Sequence, residues 1–597
     1  MWERLARHAT GLAAVALFGV FFAYYLWTSS VLPPGAGPDY GASNDVTRFI
    51  MTEGRLPVLP RDEARLRFTP HGGTRALRPP LGYLVSAAVA RAFPRDGYRE
   101  AFLAMRKGSA LLGALTVAVV YLLVAGLFGS AAGGVLAAAA LGLLPQFSFI
   151  ASYNNDDAAA LFSSALLLYA LSRVHRRGLD LGRALLLGLA AGLVVLSKFT
   201  AWLLLPFAAL YAAWRLPWRS RRGWGLLGVM LAAAVAGGGW WVVFNMVHYG
   251  PRDPLAQHIG RVMSEKHRRL PPDETYGYKA RGIGFYELWL KNHDNFIVET
   301  YKSTVGNLDW LRLKLGPFQY GLYLLVVILA LGYYLHRLAV YLSRLRRGAW
   351  RDRAFLWDSL LLAVLLFQLY MYTWTNIQND IQVQGRYLLP AFPALLLLAG
   401  GGLRALWRAA GRRWAVGDRF CIRRQGLAWW GLGGMAAFFL AAHLHAWAVY
   451  VKPFYDPPLY QVGLRPFQAI PAGAWKVDER HNVRVQRRDG ALVLRGTGPD
   501  PWVVWGAGLC KWLQGNALLR FTLVAPRRGM LQWFVDEGEG FSEKRSYRYT
   551  YEAGEQAVIM PIAARPCRRL RLDPAAGAGR VELRHVEIAA LGIRPLP

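Results

Sequence analysis

Hydrophobic positions gather into long unbroken runs over roughly the first three-quarters of this chain, and over the remainder they alternate with polar ones. The long runs lie at 11–27, 107–126, 132–150, 158–171, 184–197, 200–214, 225–247, 318–335, 355–374, 388–403 and 427–451. A bilayer core of about 30 Å is crossed by about 20 apolar residues in a helix. The pattern therefore predicts about 11 transmembrane helices, the shorter runs being tilted or kinked. The stretch 79–93 is too short to cross, and counting it would turn the arginine-rich loops outward, so it predicts an interfacial or re-entrant helix. No small-x-small site follows the first run, which therefore reads as a retained anchor rather than a cleaved signal.

From residue 452 the pattern changes. Ala491-Leu492-Val493-Leu494, Leu519 to Val524, Ala557 to Met560 and Val581 to Arg584 look like short strands between turns such as Arg488-Asp489-Gly490. The predicted fold is a polytopic α-helical membrane domain over 1–451, with outer loops 28–106 and 248–317. A C-terminal all-β sandwich, jelly-roll-like and extracytoplasmic, follows over 452–597. Its tryptophans, Trp475, Trp502, Trp505, Trp512 and Trp533, have the shape to stack on sugar rings, although filling the core is the commoner use. Cys510 and Cys567 both fall in this exported domain and are expected to form a disulfide.

Composition narrows the class. Of 597 residues, 54% are hydrophobic and 18% charged, which excludes a disordered chain and an ordinary soluble protein. Lys+Arg is 70 against 37 for Asp+Glu, but that excess is not a nucleic-acid signature in so apolar a chain. It sits in short loops: Arg173, Arg176, Arg177 and Arg183; Arg215 to Arg222; Arg337 to Arg353; Arg404 to Arg424. With a cytoplasmic N-terminus all four loops fall inside, as the positive-inside bias requires, where they set topology and meet anionic lipids. The expected location is the cytoplasmic (inner) membrane of a bacterial cell. Three cysteines rule out a Cys₄ zinc site.

The segments left outside carry the chemistry. The first loop holds Gly37-Pro38-Asp39-Tyr40, Ser43-Asn44-Asp45, Gly54-Arg55-Leu56-Pro57 and Arg78-Pro79-Pro80-Leu81-Gly82-Tyr83. The second is Ser152-Tyr153-Asn154-Asn155-Asp156-Asp157; Lys198 lies in a turn between two spans, and Gln384-Gly385-Arg386-Tyr387 opens another. A carboxylate at the mouth of a helix bundle can take a proton from an acceptor hydroxyl or hold a divalent cation. Cations beside it, such as Arg78, Lys198 and Arg386, can bind a phosphate and stabilise it as it leaves. Each residue also has a plainer use. Asp39, Asp45, Asp156 and Asp157 can cap helices, and Lys198 can snorkel. His293-Asp294 and Asp273-Glu274 are expected to face solvent, and no His/Glu spacing on a helix indicates zinc.

In their order along the chain these motifs resemble the polyprenyl-phosphate-dependent membrane glycosyltransferases of the GT-C superfamily, related to protein mannosyltransferases and lipid A aminoarabinose transferases. The Ser-Lys span end, Gly-Trp-Trp with Asn245, and Gln-Gly-Arg-Tyr-Leu-x-Pro belong to the same order, and the likeness covers about Trp2 to Val451. The tail, with Leu570 to Pro574 and Val581 to Leu583, looks like β-sandwich modules attached to some bacterial members. The resemblance implies that Asp39 is the first-loop catalytic aspartate and that Asp156 or Asp157 is the second-loop one. Tyr40 and Ser43 stand where relatives often carry an acid and a histidine, Arg78 where they carry His or Lys, and Phe244 where they carry Arg.

The expected function is transfer of a sugar from a polyprenyl-phosphate donor to an extracytoplasmic acceptor, a cell-envelope glycan, lipid or protein. Asp39 would be general base and the anomeric configuration would invert. Asp45, Arg78, Asn155, Lys198, Arg386 and Tyr387 are the expected substrate-binding residues. A divalent cation, if one is used, would lie among Asp39, Asp156 and Asp157. The competing readings are a lipid-linked glycan flippase, which needs no base, and a non-catalytic anchor for a sugar-binding β domain. The inverted repeats common in transporters are not visible in the sequence.

Overall fold

The computed structural model describes residues 2–32, 36–69, 72–93, 98–268, 277–345, 352–413, 420–455, 467–488, 490–513, 515–564, 567–574 and 579–590. They form two units, one running through the helices to Trp447 and the other comprising Trp310–Leu313 and the chain from Ala448 onward. Asp273 and Glu274 lie outside the described residues.

Among the described residues of the first unit, eight helices are long and apolar enough to cross a bilayer: His8–Val31, Glu100–Phe128, Asp157–Arg177, Arg221–Tyr249, Pro317–Leu345, Arg353–Gln378, Gly385–Ala409 and Gly431–Val451. Many of their side chains that face away from the bundle, among them Leu12, Val20, Leu231, Leu325, Ile328 and Leu335, are exposed and apolar, as a lipid-facing surface demands. This part of the chain is a multi-pass membrane protein.

The count of 11 spans does not carry over as eleven long helices. The run 132–150 is two helices, Ala131–Gly142 and Pro145–Ile150, because Pro145 has no N–H for a continuing ladder and opens a new first turn instead. The run 184–197 is the 15-residue helix Leu181–Val195, which reaches only about 22 Å. The run 200–214 divides into Phe199–Trp202 and Leu205–Arg215, with Pro206 in the first turn of the second. Apolar composition marks burial in lipid or protein alike, so composition alone counts these segments as spans. The stretch 79–93 contains only the ten-residue helix Leu81–Ala90, too short to cross.

Lipid supplies little hydrophobic drive between helices, so close backbone approach and polar contacts hold the bundle. Helices Leu181–Val195 and Arg221–Tyr249 touch through glycine. A Cβ on Gly238 would fall 1.9 Å from the Gly192 carbonyl oxygen, at a π-turn over Val235–Gly239. His443 joins three elements: one ring nitrogen meets the Leu143 carbonyl at 2.6 Å, and the other meets the Tyr24 hydroxyl. Gln319 Nε2 donates to the Ala442 carbonyl at 3.2 Å.

The second unit is a sandwich of two antiparallel sheets. One orders Val483–Arg488, Ala491–Gly496, Arg580–Ala590, Gly515–Ala525 and Gly554–Ala564, with Gln468–Ala469 also paired to Arg580–Ala590. The other orders Glu479–His481, Trp502–Trp505, Arg569–Asp573, Gly529–Asp536 and Ser546–Tyr551. Alternate residues of both sheets meet in one core that includes Leu494, Phe521, Leu570, Trp475, Trp505 and Trp533. Three of the five tryptophans are thus structural, and Trp512 packs against the same core. Trp502 turns the other way and stacks on His481 with ring centroids 5.5 Å apart. Cys510 and Cys567 are joined by a disulfide.

Candidate active site

Asp39 precedes the helix Tyr40–Glu53 in left-handed backbone (φ 60°), a conformation that Asp tolerates better than most side chains. Its carboxylate makes no helix-capping hydrogen bond. It points instead at two guanidinium groups, 2.7 Å from Arg75 Nη2 and 3.1 Å from Arg386 Nη2. The capping use of Asp39 is therefore not the one seen.

The second loop places its residues by a division of labour. Asn155 donates to the Ile150 and Tyr153 carbonyls at 2.7 and 2.6 Å and accepts from the Ala158 N–H at 3.0 Å. Asn155 thereby does the capping, and Asp156, at the N-cap position, makes no capping bond. That frees two adjacent carboxylates for one ammonium: Lys198 Nζ donates to Asp156 at 2.9 Å and to Asp157 at 2.8 Å. Lys198 is buried, so it does not snorkel.

Arg386 completes the cluster, buried to 2% exposure. It contacts Asp157 at 3.4 Å and donates to the Tyr153 and Tyr387 hydroxyls at 3.2 and 3.1 Å. The residue before it has to be glycine, because a Cβ there would lie 2.1 Å from Thr304 Oγ1. The Gly385 N–H donates to Ser303 at 2.7 Å, and the Tyr387 hydroxyl donates to Gln382 at 2.6 Å. The Tyr387 ring lies 5.0 Å from both Lys198 Nζ and the Arg386 guanidinium carbon. Arg78, partly exposed, approaches Asp156 at 3.8 Å, and Tyr83 donates to Asp156 at 3.4 Å.

Of the sequence-predicted residues, Asp39, Asp156, Asp157, Arg78, Lys198, Arg386 and Tyr387 thus meet in one cluster, and Asn155 supports it from behind. Asp45 does not join them. It accepts from the Arg67 N–H at 2.6 Å and ties the first loop to its own helix. Arg75, Tyr153 and Tyr83 also belong to the cluster, although the sequence pattern does not single them out. Arg75 did leave a signal: it stands three residues before Arg78, and in the single 3₁₀ turn Arg75–Leu77 that spacing puts both on one side.

Four cations face three carboxylates here, all but Arg78 largely shielded from water. Burial alone would raise the Asp39 pKa. Arg75, Arg386, Lys198 and Arg78 overcome that and hold it well below the ordinary value of 3.8. Asp156 is likewise raised by burial and then pulled far down by Lys198, Arg75 and Arg78. Depressed carboxylate pKa values stabilise the fold above the unfolded value, and that contribution is lost as pH falls from there toward the folded value. Thermal stability of the full chain in detergent should therefore stay level from pH 7 to about pH 5 and fall below about pH 4, less steeply in Asp39→Asn. A decline already complete at pH 5 would contradict this placement.

The surplus of positive charge leaves donors unspent. Arg75 Nη1 and Arg386 Nε are buried without a hydrogen-bond partner, and each such atom costs free energy until an acceptor arrives. The set does not fit a divalent cation: every carboxylate already has a cation within 2.7–3.8 Å. Among the described residues no three His, Cys, Asp or Glu side chains are placed to hold a metal ion.

The site also lies at one end of the bundle. Asp157 begins the helix Asp157–Arg177, whose last turn holds His175, Arg176 and Arg177. Arg386 lies at the start of a span whose far end reaches Arg404 and Arg408.

Residues 78–241, which include Arg78, Asp156, Asp157 and Lys198, match the family model of dolichyl-phosphate-mannose-protein mannosyltransferases. Among solved structures, ArnT from Cupriavidus metallidurans bound to undecaprenyl phosphate is 14% identical, with a TM-score of 0.41 over 73% of this chain and 76% of that one. Its apo form is 16% identical with the same TM-score and coverage. A family 29 carbohydrate-binding module matches 21% of this chain and 91% of its own at 15% identity and a TM-score of 0.17. No curated protein matches the chain. Over residues 78–241, then, the chain is similar to the dolichyl-phosphate-mannose-protein mannosyltransferases.

Proposed function

We propose that this protein transfers a sugar from a polyprenyl-phosphate donor to an acceptor hydroxyl on the extracytoplasmic side of the inner membrane. The observation that carries the reading is the cluster itself: four cations against three carboxylates, two of the cations with buried, unpartnered N–H groups, and one carboxylate, Asp39, that caps nothing. Arg75, Arg78, Lys198 and Arg386 hold the donor phosphate. Asp39 takes the proton of the acceptor hydroxyl as its oxygen attacks the anomeric carbon. The bond from that carbon to the phosphate oxygen breaks, its electron pair leaves on the polyprenyl phosphate, and the configuration inverts. Charge developing on the leaving phosphate meets preorganised donors, and losing one such donor typically costs about 3–4 kcal/mol of barrier.

The depressed pKa of Asp39 is compatible with this role. The arginines that hold its carboxylate are the ones a phosphate recruits, so donor binding loosens their grip and restores basicity. A divalent cation has no part in the scheme, since the carboxylates it would need are taken. The arginine-rich ends of the helices Asp157–Arg177 and Gly385–Ala409, away from the site, support the extracytoplasmic placement.

Incubating the purified full chain with labelled polyprenyl-phosphate sugars and envelope extract tests this reading. Label should move to the acceptor fraction, free polyprenyl phosphate should compete with the donor, and the corresponding unphosphorylated polyprenol should not. Equal competition by the alcohol would remove the phosphate from the reading, and with it the purpose of the cations.

A further inference from the structure

The outer face of the first sheet carries a row of like charges. In strand Val483–Arg488, Val483 and Val485 turn toward the core, so Arg484 lies on the opposite face. In Ala491–Gly496 the core residues are Leu492 and Leu494, which puts Arg495 outward, and in Arg580–Ala590 they are Val581 and Leu583, which puts Arg580 outward. The register pairs Arg484 with Arg495 and Arg495 with Arg580. All three are exposed. Strands lie about 4.8 Å apart, so the row spans about 10 Å.

Like charges directly opposite each other oppose sheet formation. Charge on an edge strand is a common guard against edge-to-edge pairing, but that purpose needs Arg484 alone. Here the row continues into two interior strands. Nor is it neutralised: among the described residues Arg484 and Arg495 make no ion pair. Among the described residues Arg580 pairs only with Glu582, at 3.4 Å, whose other oxygen is taken by Arg584 at 2.6 Å. The next outward row holds Gln486, Val493 and Glu582, so the positive track is one residue wide.

We propose that Arg484, Arg495 and Arg580 form a binding track for an anionic polysaccharide, one bearing carboxylate or phosphate groups along its chain. One small anion cannot bridge three strands, whereas a polymer with repeated charges can. A bilayer surface would press the neighbouring Glu582 against anionic headgroups as well, whereas a single linear chain can follow the row. This inference stands apart from the donor reading above, and either can fail without the other.

The test is binding of the full chain, in neutral detergent, to immobilised polygalacturonate and to a neutral mannan. Polygalacturonate should bind and the mannan should not, with binding weakened about tenfold or more by high salt, because exposed charges are screened. Arg484→Gln/Arg495→Gln should lose at least about tenfold in affinity, and Arg484→Lys/Arg495→Lys should keep most of it, since charge rather than the guanidinium fork carries the contact. An unchanged thermal unfolding profile of the Gln variant would verify that the protein is folded. Equal binding to mannan, or an unaltered Gln variant, would overturn the proposal. So would loss of binding only to phosphatidylglycerol vesicles, which would assign the row to the membrane.

Discussion

Asp39→Asn will lower sugar transfer by about 10²–10⁴-fold, the range a positioned general base contributes, while leaving the protein folded and able to bind polyprenyl phosphate. The substitution keeps the shape of the side chain and an oxygen that accepts one hydrogen bond, but removes the lone pair that would take the acceptor proton. Its neighbours keep other partners: Arg386 retains Asp157 at 3.4 Å and Arg75 retains Asp156 at 3.8 Å. A purely structural Asp39 would give a different result, with transfer falling only as far as thermal stability and donor affinity fell. Transfer assayed beside polyprenyl-phosphate binding separates the two. Near-normal turnover in Asp39→Asn would reject the assignment of the base.

Lys198→Met should have the largest effect on stability. One ammonium neutralises two adjacent carboxylates, at 2.9 and 2.8 Å, where Asp156 and Asp157 are 5% and 3% exposed. Taking it away strands buried charge, which commonly costs about 3–5 kcal/mol. The remaining cations stand farther off, Arg75 and Arg78 at 3.8 Å from Asp156 and Arg386 at 3.4 Å from Asp157, and offset only part of the loss. The double variant Lys198→Met/Asp156→Asn should recover part of the loss, because it removes one of the stranded charges. Donor affinity should fall in both, since the phosphate loses a cation in either case. Thermal unfolding in detergent and polyprenyl-phosphate binding read these outcomes. A Lys198→Met protein as stable as the parent would mean that the two carboxylates are protonated or solvated, contrary to the geometry described.

Particular residues show how far a single sequence carries. Lys198 reads equally well as a snorkelling anchor and as a ligand, because both uses put a lysine at the end of an apolar run. Only burial against Asp156 and Asp157 separates them. Nor does the sequence say whether Asp156 or Asp157 faces the cluster; in the structure Asn155 takes over the capping and both acids contact Lys198. Asp45 misleads because it lies in the same outer loop as Asp39, a few residues further on. The partner that diverts it, the Arg67 N–H, lies 22 residues away and follows no local pattern. Arg75 was legible in principle through its spacing from Arg78, but a loop arginine has no periodicity to make it stand out.

Local composition and period are enough to fix the bilayer as solvent, the change from helices to strands near residue 452 and the types of residue available for chemistry. Each apolar run or alternation is read within its own few residues. Tertiary structure alone decided which apolar runs break, which acids cap helices and which cations neutralise which carboxylates. Asp39 and Arg386 are 347 residues apart along the chain and 3.1 Å apart in space. Contacts of that kind depend on how all the intervening helices pack, a property of the whole bundle and of none of its segments.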